Sequence, residues 1–177
     1  MVVQLAKDYL ARTDFRKYRG QVTLDLATYY LENGYEQDFY DLATRYLDIE
    51  PEDDRVGSQL ASLLGGLLIK RERFNELSDR MEHYYNQYAD LDGLREASGY
   101  WRSLAVLLMA DYQSGLEKFN QFLSEQGKRS AFYEDAFDRK GICLYGVQKS
   151  NYNPEATESF QEGMLIPPVK LFEAGVM

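Results

Sequence analysis

Few side chains in this sequence are placed to do chemistry. His83 is the single histidine. No HxxxH, CxxC or HExxH spacing surrounds it, so neither a metal site nor an imidazole base has its partners. It reads as a surface or helix-edge residue. Cys143 is the single cysteine, which rules out an internal disulfide and gives no sign of an oxidising compartment. A reactive thiol needs a base or cation beside it. Lys140 and Lys149, the nearest in sequence, are not convincing partners, so Cys143 reads as an inert core residue. Asp90-Leu91-Asp92-Gly93 imitates part of a calcium loop. In that register Tyr88 takes the first ligand position and Gly99 the last, so the match fails and the stretch reads as a turn capping the next helix. Glu52-Asp53-Asp54 is the one cluster resembling paired acids for general acid–base work. It has no partner motif, and a carboxylate-dependent enzyme on a helical array is only a minor alternative. No catalytic residue, metal ligand or cofactor is expected.

Charge is the stronger signal. From Asp25 to Asp54 the chain holds ten acidic residues and one base, Arg45, so this window alone carries −9, equal to the net charge of the whole chain. The rest balances, and Met1–Arg19 leans basic through Lys7, Arg12, Arg16, Lys17 and Arg19. Asp38, Asp41, Asp48, Glu52, Asp53 and Asp54 form the candidate acidic patch. Its plain reading is a solvated convex face that keeps the protein soluble. Its functional reading is a docking site for a basic partner. Nucleic acid is disfavoured, because phosphate binding needs a positive field.

The elements that position these residues are helices. Leu24, Ala27, Tyr30 and Leu31 share one helical face, and Asn33-Gly34 stops that run. Phe39, Leu42, Ala43, Tyr46, Leu47 and Ile49 form a second stripe, which Pro51 ends. Two amphipathic helices with a short connection form an antiparallel pair that cannot bury its stripes alone. With four prolines in 177 residues and few β-branched side chains, the whole chain is expected to be helical. Met1–Ala11 reads as a terminal helix or the remnant of a preceding unit, too charged for a signal peptide. Asp14 is a candidate cap for a short segment through Arg19. No run approaches 18 apolar residues, so no membrane span is expected and a cytoplasmic location is.

The hairpin recurs. Aromatic residues opening each second helix fall at Tyr35 with Phe39, then Phe74, Tyr112 and Tyr152. Phe39, Leu77, Gly115 and Ala156 are equivalent, as are Ala43, Met81, Phe119 and Phe160. The intervals are near 38–41 residues. This predicts an N-terminal helix or cap over 1–19 and four helical hairpins over about 20–57, 58–95, 96–136 and 137–168. A tail or cap follows over 169–177. Asp53-Asp54 is expected to cap the helix starting near Arg55. Gly65-Gly66, inside that helix, marks a close helix–helix approach, with a hinge as the functional alternative. The apolar run Leu104–Ala110 should belong to the most buried helix. Gln126-Gly127 ends the third hairpin, and an Asn151–Pro154 turn leads into the last helix.

On the strength of Gly34 to Pro51, Leu64-Gly65, and Ala156, Phe160, Gly163 and Pro168, the chain resembles the tetratricopeptide-repeat family. Its units are longer than that family's period of about 34 residues. The resemblance implies an α-solenoid of stacked antiparallel helix pairs whose first helices line a concave face that holds peptides or partner proteins. Carried through the register, the inward residues are Gln21, Leu24, Thr28 and Glu32; Gln59, Ser62 and Lys70; Tyr100, Leu104 and Leu107; and Asp138, Tyr145, Gln148 and Lys149. The family's carboxylate-clamping positions hold Leu24 and Thr28, so no clamp for a chaperone tail is expected. The tyrosines offer apolar area with a hydroxyl, suited to peptide holding, and Lys70 and Lys149 suit acidic ligand groups. The competing reading of Tyr100 and Tyr145 is that they pack between helices. The expected function is a non-enzymatic protein- or peptide-binding scaffold. The alternative is a ligand- or peptide-sensing repeat domain of a larger regulator.

Overall fold

The computed structural model describes residues 2–12, 18–49, 51 and 53–152. Among them the regular elements are eight α-helices and one 3-10 turn, with no strand. They are α1 (Val2–Ala11), α2 (Arg19–Glu32), α3 (Glu36–Ile49), α4 (Asp54–Lys70), α5 (Phe74–Gln87), α6 (Asp92–Leu108), α7 (Tyr112–Gln126) and α8 (Tyr133–Tyr152), with the turn at Gly127–Arg129. The protein is all-α. The chain forms two compact units, Met1–Arg102 and Ser103–Met177, and α6 contributes residues to both.

In the first unit each helix packs on its neighbour in sequence: α1 on α2, α2 on α3, α3 on α4 and α4 on α5. The helix α2 also touches α4, so the opening helices of two successive hairpins lie side by side. The apolar stripes explain this order. Leu24, Ala27 and Tyr30 of α2, Phe39, Ala43 and Leu47 of α3, and Val56, Leu60, Leu64 and Leu68 of α4 are buried at three- and four-residue spacings. Gly34, at φ +76°, makes the tight turn between α2 and α3. The second helices begin at Glu36, Phe74 and Tyr112, 38 residues apart.

In the second unit α7 packs on α8, and Phe119 and Phe122 of α7 and Ala136 and Cys143 of α8 are buried. The Tyr112 ring lies where a side chain on Gly146 would have to go, so this crossing depends on glycine. Gly127, at φ +61°, ends α7 as expected.

Several expectations need correction. The hairpin limits drawn after residues 57 and 95 fall inside α4 and α6, which begin at Asp54 and Asp92. Asn151 and Tyr152 are the last residues of α8 and not a turn, so Tyr152 closes a helix instead of opening one. The Asp14 cap, Pro154 with the last helix, Ala156, Phe160, Gly163, Pro168 and the 169–177 tail lie outside the described residues.

The paired aspartates divide a task. Asp53 caps its own helix, accepting from the Val56 amide at 3.1 Å. Asp54, the first residue of α4, instead accepts from the amides of Gly93 and Leu94 at 2.9 and 2.8 Å. A carboxylate is thus placed at the positive end of α6 from a different helix. Asp54→Ala is therefore expected to cost about 1–2 kcal/mol, the upper part of the range for a lost cap, because two amides lose their acceptor. Urea melts followed by circular dichroism measure this. A variant as stable as the parent would show that water replaces the carboxylate at no cost.

Candidate functional site

The outward faces of α2 and α4 form the candidate surface of the first unit. Gln21, Asp25 and Glu32 recur along one face of α2 and are exposed, with Thr28 half-buried on the same side. Arg55, Gln59 and Lys70 do the same on α4, with Ser62 half-buried. Hydrogen bonds cross between the helices here. Arg55 donates to the Gln21 carbonyl oxygen at 2.6 Å and to Gln59 at 3.4 Å, and Gln21 donates to Asp25 at 2.6 Å. Thr28 is turned inward on its own helix, donating to the Leu24 carbonyl at 2.9 Å. Lys70 ion-pairs with Glu36 at 2.6 Å, and Arg71 reaches the other Glu36 oxygen at 3.1 Å. The expected ligand-facing lysine is thus engaged within the fold.

At the turn end of this surface sits an aromatic group. Tyr29 and Tyr35 are stacked, with centroids 6.4 Å apart, and are 41% and 52% exposed. Tyr30 meets both edge-on from below, and the Lys7 ammonium lies 5.6 Å from its ring. Asp25 is one turn before Tyr29, Glu32 almost one turn after it, and Asp38 almost one turn after Tyr35, all exposed. The sequence marked Tyr35 only as a helix-opening aromatic and left Tyr29 unnamed, although both lie off the apolar stripe of the hairpin.

The acidic patch separates into two kinds of residue. Asp38 and Asp41 are exposed on α3, the Asp41 carboxylate accepting a local bond from Gln37 at 2.8 Å. Asp48 accepts from the Tyr84 hydroxyl at 2.7 Å and pairs with Arg80 at 3.4 Å, while Asp53 and Asp54 are the caps described above. These three belong to the architecture. Glu52 lies outside the described residues.

Asp48 is one edge of a network that ties α3 to α5. The Tyr40 hydroxyl donates to Glu76, Arg80 donates to Glu76 at 3.1 Å and to the Tyr40 oxygen at 2.8 Å, and Arg73 pairs with Glu76. Burial alone would raise the Glu76 pKa, but the Tyr40 hydroxyl and the two guanidiniums outweigh it and hold the carboxyl below its ordinary 4.5. Glu36 is lowered too, by its bonds to Lys70 and then Arg71. Depressed folded-state values stabilise the fold fully above the ordinary value and lose that effect as pH falls below it. Stability is therefore expected to decline as acid is added below about pH 4.5, with Glu76→Gln flattening the decline. Denaturation midpoints across that range test this, and an unchanged slope in the variant would remove Glu76 from the account.

Other expected site residues are placed differently. Tyr100 is 2% exposed and packs edge-on against Trp101 at 5.4 Å, so it offers a partner no surface. Leu24, Leu104 and Leu107 are core residues as well. The reason lies in α6, where every residue from Ala97 to Leu107 is buried, which leaves no outward stripe. On α8 of the second unit Asp138, Tyr145 and Gln148 are exposed, and Lys149 lies 5.3 Å from the Tyr145 ring. His83 is exposed on α5. Cys143 is buried, and that burial pushes its thiol up to about 11, away from nucleophilic reactivity. Among the described residues no three His, Cys, Asp or Glu side chains converge as a metal site, and no helix is long and apolar enough to cross a membrane.

Comparison with known proteins returned no match to a family model, to a curated protein or to a solved structure.

Proposed function

We propose that this chain is a non-catalytic protein- or peptide-binding scaffold, related in kind to the tetratricopeptide-like arrays its sequence resembles. We place its docking surface on the α2–α4 face and the adjoining Tyr29–Tyr35 corner. The observation that carries the reading is the exposed stacked tyrosine pair bordered by the exposed carboxylates of Asp25, Glu32 and Asp38. Aromatic faces and carboxylates together favour the cationic side chains of a partner: the rings attract a guanidinium or ammonium and the acids neutralise it. The acids that resembled an acid–base pair support the same reading, because Asp53 and Asp54 cap helices.

The test is fluorescence anisotropy with three labelled peptides of equal length, one rich in Lys and Arg, one neutral and one rich in Glu. The basic peptide is expected to bind best, more weakly as salt is raised. Asp25→Asn with Glu32→Gln and Asp38→Asn should weaken it about tenfold while leaving the fold intact. Asp48 is left unchanged in that variant because it holds Tyr84. Equal binding of the acidic peptide, or undiminished binding by the variant, would defeat the reading.

A further inference from the structure

The side of α8 turned away from α7 carries an exposed stripe. Phe137, Gly141, Leu144 and Gln148 follow one another at intervals of four, three and four, and all are exposed. At about 100° per residue, Gly141 lies about 160° around the helix from Cys143. Cys143 is the residue that faces α7, since its sulfur would stand 3.0 Å from a β-carbon on Gly115. Phe137 and Leu144 are 56% and 41% exposed. A side chain on Gly141 would meet nothing within 4 Å, whereas at Gly146 the Tyr112 ring fills that space. Glycine is unfavourable inside a helix, and within this unit nothing uses the room that Gly141 leaves. Alternating steps of three and four are the spacing by which two helices interlock.

The charges along one edge of the stripe say which helix fits it. Glu134, Asp138, Tyr145 and Lys149 lie along that edge at intervals of four, seven and four. Glu134, Asp138 and Tyr145 are exposed, and Lys149 is half-buried beside the Tyr145 ring, 5.3 Å from its centre. The spacing reads the same in both directions, while the charge changes from acidic at the N-terminal end to basic at the C-terminal end. Such an edge is complementary to itself reversed. Asp135, the remaining acid of this helix, is engaged by Arg139 at 3.3 Å within it.

We propose that α8 pairs with α8 of a second copy of this chain, antiparallel about a two-fold axis close to Gly141. A two-fold axis sets the same edge of both helices together and reverses its order. Glu134 then meets Lys149 of the second copy, and Asp138 meets its Tyr145 hydroxyl, each contact occurring twice. Phe137 lodges between Leu144 and Gln148 of the second copy, and the two Gly141 backbones approach at the crossing. A parallel pair would instead set Glu134 against Glu134, Asp138 against Asp138 and Lys149 against Lys149. Charge thus selects the arrangement that closes as a dimer. Tyr145 and Gln148, carried by the register of the resemblance to a ligand-holding face, are covered by the second copy. The basic-peptide surface of α2 and α4 involves none of these residues, so either reading can fail alone.

Sedimentation equilibrium on the full-length chain tests this. The chain is expected to be a dimer at micromolar concentration. Gly141→Glu should make it a monomer of unchanged helix content, because the new side chain meets nothing in its own unit but two carboxylates would meet at the crossing. Lys149→Glu and Glu134→Lys should each weaken the dimer about tenfold, since two bridges become repulsive. Both changes in one chain should restore it. Mixing the two single variants should restore it as well, because each then offers the other an opposite charge. A monomer at every concentration would overturn the proposal and leave this face to another occupant. A dimer that Gly141→Glu leaves intact would overturn it too, as would failure of the double variant or of the mixture to recover the parent's association.

Discussion

Gly65→Ala is expected to destabilise the protein by about 1–2 kcal/mol, although the same change at an unobstructed helix position would stabilise it by about 1 kcal/mol. The sign is set by one contact. A β-carbon at Gly65 would stand 2.5 Å from Cδ2 and 2.8 Å from Cε3 of Trp101, closer than non-bonded carbons tolerate. Trp101 has little room to retreat, being 9% exposed with Tyr100 edge-on against it. The sequence marks a close helix–helix approach here without setting how close it is. The structure narrows the position to glycine. Gly65→Leu adds three further carbons and is expected near the top of the usual overpacking range, at about 3 kcal/mol. Trp101 is the single tryptophan, so its emission reports both the unfolding transition and any displacement of the ring. The decisive measurement is the double-mutant cycle. With Trp101→Phe in the background the ring is smaller, and Gly65→Ala should cost less or become neutral. A penalty of the same size in both backgrounds would place the obstruction elsewhere.

What the sequence made legible depended on whether a helix has one covered side or more. The stripes of α2, α3 and α5 have period and contrast, and Ala27, Phe39, Ala43, Leu77 and Met81 are buried where the spacing put them. Gln21, Glu32 and Gln59, which the register of the resemblance carried to a ligand-holding face, are exposed on α2 and α4. The buried run of α6 is longer than the apolar run that signalled it, because Ser98, Arg102 and Ser103 are buried along with their apolar neighbours. The register of the resemblance offered Tyr100 as a surface residue, with packing between helices as the competing reading, and Tyr100 is buried. The acidic window divides for another reason. Asp48 and Asp54 are claimed by groups 32 to 40 residues away, and composition carries no record of such partners. Arg102 is the sharpest instance. A charge inside an apolar run signals either an exposed edge or a buried pair, and only the fold distinguishes them.

Arg102→Ala is expected to cost about 3 kcal/mol, more than Arg102→Met and more than Arg102→Lys. The side chain of Arg102 is 3% exposed, with Nη1 at 2.8 Å from Glu82 Oε1 and its guanidinium carbon 3.5 Å from the centre of the Tyr85 ring. Arg95 approaches the same ring at 4.8 Å and donates to the Tyr85 hydroxyl at 3.1 Å. Two cations therefore share one aromatic ring, and Glu82 balances the deeper one. Truncation to alanine removes the pair and the stacking and leaves a void beside Tyr85. Methionine refills most of that volume without a charge to desolvate, so its cost should be smaller, at about 1 kcal/mol. Lysine keeps the charge but cannot stack flat or present a planar fork, and it belongs between the two. Glu82, 37% exposed on its side chain, can turn to water when its partner is lost, which holds the alanine penalty to the lower end of the range for broken buried pairs. Urea unfolding of the three variants should give alanine, lysine, methionine in order of decreasing loss. The order should persist at high salt, since screening hardly reaches a cation this deeply buried. Methionine as damaging as alanine would mean that the charge itself, and not the volume it fills, holds this part of the first unit together.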